Sequence, residues 1–199
     1  FLPPYQPEFR LDPDKAHSFG CLTPPEYFME FRYKIQQSMI QSKGVTQRTD
    51  EEFGRTFGRK YGLIEAYRCA GADLVLLTSG TIASTARVVV DALRERGRKV
   101  GMVKVRLFRP FPKEELRAVL RDAEKVAVVD RNVSFGVGGI FAQEMRAAFY
   151  NEKDRPPIYS YIAGLGGRDV TPQVLNEVVY QTYKRSQPEE QSVWVGMRS

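Results

Sequence analysis

The sequence is poor in the residues that do most metal and acid–base chemistry. Among its 199 residues there is one histidine, His17, and there are two cysteines, Cys21 and Cys69. The cysteines are far apart and outside any C-x-x-C pattern, so by themselves they build neither a zinc site nor a thiolate-held iron–sulfur cluster. They read as two reduced structural thiols of a cytoplasmic protein, with nothing in their spacing to support a disulfide. His17 sits in a proline-rich lead segment and is a poor candidate for a general base. No apolar run is long enough to cross a bilayer, which argues against a membrane protein. The stretch "FLPPYQPEF" at 1–9 lacks the charged start and apolar core of a signal peptide. With Phe rather than Met at position 1, the expectation is a piece from the interior of a longer polypeptide.

What is present is enough for a core: 42% of the residues are hydrophobic and 12% aromatic, which argues against disorder. The net charge of +6 is unevenly placed. Between Arg94 and Arg121 ten Lys/Arg accompany three Asp/Glu, a surplus that accounts for the whole excess. Such a surplus suits an acidic protein, a phosphate or nucleic acid, and equally a solvated helix face. Nucleic acid is disfavoured, because no recognised motif or set of stacking aromatics accompanies the charge.

Residues 1–70 read as a lead segment. Pro3, Pro4, Pro7, Pro13, Pro24 and Pro25 make its start an extended strap. Phe28, Phe31, Ile35 and Met39 then repeat at helical spacing and predict a helix over 25–43 whose stripe is core. Thr23 with Glu26 marks its start. A shorter helix over 50–57 and a loop through "GRKYGLIEAYRCAGA" follow. Residues 71–185 become regular. "DLVLLTS", "KVGMVKVRL", "KVAVVD" and "PPIYSYIAGL" read as strands, each followed by a helical pattern. The last helix opens on Thr171 and Pro172. Four strand–helix alternations with short connections predict a three-layer α/β/α domain with a mostly parallel sheet. Residues 186–199 form a polar tail with Trp194 as its one large apolar anchor.

Three stretches look chemical. "SGTIAST" sets Ser79, Gly80 and Thr81 at a helix N-terminus, where an anion is favoured. It matches neither G-x-G-x-x-G nor a P-loop, and no ribose-binding acid follows the next strand, which argues against a dinucleotide. "DRNVSFGVGG" puts Asp130 and Asn132 just beyond a strand; ligand binding and helix capping are both open there. "GLGGRD" ends on Arg168 and Asp169, either in a structural turn or at an interdomain contact. Arg109, bracketed in "FRPFP", is a further anion or interface candidate. No nucleophile–base pair, metal cluster or pair of catalytic carboxylates is present, so the residues alone describe a scaffold or binding domain.

"FLPPY" at 1–5, "EFRYKIQQSM" at 30–39, "FGRKYGLIEAYR" at 57–68, "VRLFRPFP" at 105–112, "VVDRN" at 128–132 and "AGLGGRDVT" at 163–171 together resemble the α chain of the pyruvate:ferredoxin oxidoreductase family. The α/β portion is similar to the transketolase C-terminal domain. The resemblance implies an oxidoreductase complex that turns pyruvate, or another 2-oxo acid, into an acyl-CoA, or runs in reverse. It implies thiamine diphosphate, Mg²⁺, four-iron–four-sulfur clusters and CoA held elsewhere in that complex, with ferredoxin as the electron partner. In the family another domain precedes "FLPPY". No catalytic, cofactor-binding or metal-binding residue carries over to this stretch, which the resemblance casts as a structural, subunit-contact domain. A free-standing module recruiting an acidic or phosphorylated partner is the alternative reading.

Overall fold

The computed structural model describes residues 2–198; Phe1 and Ser199, the ends of the expected strap and tail, lie outside the described residues. The chain divides into two compact units, Phe1–Ile40 and Gln41–Ser199.

In the first unit, residues 2–24 are largely irregular, with an isolated bridge between Asp12 and Lys15. Helix α1 (Pro25–Phe57) begins there and runs on into the second unit. It is one helix of 33 residues where the sequence predicts two. The predicted break fell on "GVTQRT", but one Gly and a few β-branched residues cost only about 1 kcal/mol each at most and remove no backbone donor. The helix closes on Gly58, whose N–H reaches the Gly54 carbonyl at 2.9 Å with φ at 70°. None of the residues of α1 is buried, so the stripe expected as core is exposed.

The second unit carries a six-stranded sheet in the order β1-β3-β2-β4-β5-β6. Its strands are β1 (Ile64–Tyr67), β2 (Leu74–Ser79), β3 (Val100–Val105), β4 (Lys125–Asp130), β5 (Ile158–Ile162) and β6 (Val193–Trp194). All neighbours are parallel except β1, which runs antiparallel to β3. Leu77 of β2 lies opposite Val103 on one side and Val128 on the other. Helices α2 (Ile82–Glu95), α3 (Lys113–Leu120), α4 (Ile140–Phe149) and α5 (Pro172–Lys184) follow β2, β3, β4 and β5. Leu74, Leu76, Ala127, Val129, Tyr159 and Tyr161 pack with α2 and α5 on one face. Val75, Leu77, Val103, Val126 and Val128 pack with α3 and α4 on the other. Covering both faces is what makes the central strands read as unbroken apolar runs. The mostly parallel three-layer architecture is as the sequence predicts.

Two strands were not legible. β1 comes from the stretch read as a loop; its Glu65 is paired with Arg87 and Arg106, and four residues around a charge carry no usable period. β6 comes from the polar tail and joins β5 through Val195 N–H to the Ile162 carbonyl at 3.0 Å. Among the described residues no helix is long and apolar enough to cross a membrane.

Candidate functional site

Because β2, β3, β4 and β5 are parallel, the segments that follow them gather at one edge of the sheet. Ser79–Thr81 follows β2, Arg109 follows β3, Asp130 ends β4 with Asn132 just after, and Arg168 and Asp169 follow β5. The fold thus brings all of these sequence-chosen residues to the carboxyl edge. β2 and β4 are neighbours, yet α2 and α4 pack on opposite faces. This is a topological switch point, the place where open α/β sheets bind ligands.

At the end of β4 the side chains are bonded inward. Asp130 is fully buried, and its carboxylate accepts from the backbone N–H of Phe141 at 2.9 Å and of Ala142 at 3.1 Å. Asn132 Oδ1 accepts from Ile140 N–H at 2.9 Å, and Ser192 Oγ accepts from Gly139 N–H at 3.2 Å. Ser192 also shares a hydrogen bond of 2.7 Å with Ser160. Four successive N–H groups at the start of α4, which the helix itself leaves unsatisfied, are therefore all taken. Position 139 has to be glycine, since a Cβ there would run into the Asp130 carboxylate. Burial pushes the Asp130 carboxyl above the usual range, against the pull of the backbone N–H groups.

Of the remaining candidates, Arg109 and Arg168 are tied to neighbours on the protein. Arg109 pairs with Glu144 of α4 at 2.6 Å and lies over the Phe108 ring; the Arg109–Pro110 peptide is cis. Arg168 donates to the Gly196 carbonyl at 2.5 Å, and Asp169 is exposed. Gly164, with φ at 77°, starts the glycine turn, and a Cβ there would sit 2.6 Å from Val170. Its carbonyl accepts from Arg131 Nε at 2.9 Å. At β2, Gly80 takes φ of 60°, and Thr81 begins α2 with no side-chain cap. Ile82 and Ala83 are buried directly after it, so the small residues let the helix start close to the sheet. Thr78 Oγ1 donates to the Val129 carbonyl at 3.2 Å and pins β2 to β4.

Arg131, Ser160 and Ser192 went unnoticed in the sequence. Arg131 carried a signal, lying between the two polar residues already chosen; the serines carried none, because their partners are 32 residues apart. Phe135 was missed too. It stands 90% exposed on the loop after β4, beside a groove of about 360 Å³ shared with Ser192 and Trp194.

The basic surplus divides. Arg94 donates to the Val100 carbonyl at 2.7 Å and the Arg68 carbonyl at 2.6 Å. Arg106 holds Glu65, and Arg117 holds the Ala148 carbonyl and Glu152. Arg96 and Arg98 instead line an open groove of about 810 Å³ between α2 and α5, with Tyr180, Tyr183 and Lys184.

Among the described residues no group of three or more His, Cys, Asp or Glu is placed to hold a metal ion. Cys21 and Cys69 are unpaired thiols in different units, and burial raises the Cys69 thiol.

A family profile for pyruvate:ferredoxin oxidoreductase core domain II matches residues 72–175, from just before β2 into α5. The chain belongs to this family. It is 44% identical over 198 residues to the pyruvate synthase subunit PorA of Methanothermobacter thermautotrophicus, covering all of this chain and 50% of that one. It is also 44% identical over 173 residues to the ketoisovalerate oxidoreductase subunit VorA of Pyrococcus horikoshii, covering 86% of this chain and 44% of that one. The chain thus spans about half the length of these relatives. A 2-oxoglutarate:ferredoxin oxidoreductase from Magnetococcus marinus, solved with 2-oxoglutarate, coenzyme A and succinyl-CoA bound, shares the fold. It aligns with a TM-score of 0.50 and 23% identity over 67% of this chain and 21% of that one.

Proposed function

We propose that this chain is the scaffold and subunit-contact part of the α chain of a 2-oxo acid:ferredoxin oxidoreductase, and that it contributes no catalytic residue. The complete complex oxidatively decarboxylates pyruvate to acetyl-CoA, or runs the reverse reaction. Thiamine diphosphate, Mg²⁺, four-iron–four-sulfur clusters and CoA are held by its other domains and subunits, and ferredoxin carries the electrons. One observation carries the reading: at the switch point, where this fold would hold a ligand, Asp130, Asn132 and Ser192 serve the start of α4 instead. A carboxylate that accepts two backbone N–H bonds while fully buried has little left to offer a substrate.

Calorimetry of the 199-residue chain with thiamine diphosphate and Mg²⁺ tests it. No binding is expected; micromolar affinity would overturn the scaffold assignment. The assembled complex is expected to reduce ferredoxin with pyruvate and CoA. A complex inert towards every 2-oxo acid would remove the functional reading altogether. A branched 2-oxo acid is the second substrate reading, since the ketoisovalerate and pyruvate relatives stand at the same 44% identity. A panel of 2-oxo acids assayed on the complex separates the two.

A further inference from the structure

Phe28, Phe31 and Ile35 share one stripe of α1, and in this structure they are about half exposed. The apolar character is not confined to that stripe. Tyr27 extends that stripe one turn before Phe31, Met29 and Tyr33 point from the opposite side of the same helix, and these three are between 61% and 77% exposed. A helix that is apolar on several sides belongs inside a packed structure. Its own unit does not cover it: across residues 2–40 none is buried, and all but Asp12 and Gln37 are exposed.

Intrinsic propensity does not account for such a helix, because Tyr, Phe and Ile are only middling helix formers. Most helical stability in proteins comes from burying a face, and a contiguous exposed apolar patch of this kind marks a contact surface. Glu30, Arg32 and Lys34 are interleaved with the apolar residues and carry both signs, so the surface selects no acidic or basic partner. The extent of the relatives supplies the occupant. The Methanothermobacter subunit aligns over the full length of this chain, this helix included, and continues for as many residues again. A further half of that size is large enough to form a core around a helix on several sides, whereas a partner meeting α1 from outside would cover one stripe.

We propose that the apolar girdle of α1 from Tyr27 to Ile35 is buried, in the whole polypeptide, against the half that the relatives carry in addition to this stretch. This rests on the reading of the chain as part of a longer α chain. The experiment replaces Phe31 with a photo-crosslinking amino acid in the polypeptide expressed from its complete coding sequence, assembled with its partner subunits. The expected product is a crosslink within one chain, to a residue outside the 199. A crosslink to a second copy, to another subunit or to the α/β unit would overturn the proposal, and so would a girdle that forms no crosslink. Phe31→Leu guards against a fold defect at the probe position: it retains assembly if this face is apolar core, while Phe31→Lys with Ile35→Lys lowers the yield of assembled complex at least tenfold. Equal yields for the two would also overturn the proposal. A coding sequence that holds no further half sinks the longer-chain reading itself; crosslinks to the wrong partner in a polypeptide of the relatives' length sink only this inference.

Discussion

At the scale of single residues, Asp130 is the instructive case. Its position at the end of a parallel strand is where a catalytic carboxylate would stand, and its neighbours give it a different task. Asp130→Asn keeps one acceptor but turns an amide towards the second backbone N–H, so a loss of about 1–3 kcal/mol is expected under acidic conditions. Burial holds the folded carboxyl above its unfolded value. Its contribution to stability is therefore complete below the unfolded pKa and is lost as the pH rises through the folded one. Urea unfolding of the parent and of Asp130→Asn between about pH 4 and pH 8 is expected to give a gap that narrows with rising pH. A gap that stays constant would mean that the carboxyl keeps its ordinary pKa in the fold.

At the scale of elements, charged side chains close the ends of helices, and they do so across the chain. Lys125 at the start of β4 donates to the carbonyls of Thr182 at 2.9 Å, Tyr183 at 3.2 Å and Arg185 at 2.6 Å, and so caps α5 from the adjacent strand. Lys125→Met keeps the aliphatic stem and removes all three bonds, for an expected loss of about 2–3 kcal/mol. An unchanged denaturant midpoint would show that water serves those carbonyls equally well. The arginines at the end of α2 and just after it separate by the same logic. Arg94→Ala frees two carbonyls and is expected to cost about 1–3 kcal/mol. Arg96→Glu with Arg98→Glu alters only a groove surface and stays within about 0.5 kcal/mol per site. If the groove meets an acidic partner, the double reversal slows association at low salt and flattens its salt dependence. An association rate that does not move leaves those arginines as a solvated face.

At the scale of the whole molecule, stability is expected to be uneven. The central strands β2 and β4 are packed on both faces, whereas α1 has no buried residue. Hydrogen exchange on the 199-residue chain is accordingly expected to be slowest in β2 and β4 and fast through residues 27–40, because local opening follows the number of buried apolar contacts. Protection of 27–40 equal to that of β4 would contradict the exposure described above. The α/β unit carries its own core, and α1 contributes no buried residue to one.

How much of this was legible follows from where each signal lives. The parallel sheet was readable because Leu74–Ser79, Val100–Val105 and Lys125–Asp130 are covered on both sides, and double burial writes itself into the chain as unbroken apolar runs. Thr171 and Pro172 announced α5 because a helix start is satisfied by residues next to it in sequence, and Thr171 does accept from the Val174 N–H. By contrast β1 is four residues and β6 two, too short to show a period, and each exists only because a longer strand offers it an edge. Ser192 on Gly139, Lys125 on α5 and Arg168 on Gly196 join residues distant along the chain. No local pattern records such pairs. The stripe on α1 was legible as an apolar stripe, but whether it is core depends on what packs against it, and burial is a property of the whole assembly of surfaces. The sequence alone settled the type and order of the main elements and the family, since propensity, periodicity and motif are local. Only tertiary structure decided that Asp130 and Asn132 at the carboxyl edge turn to the start of α4, because hydrogen-bond partners are chosen in space.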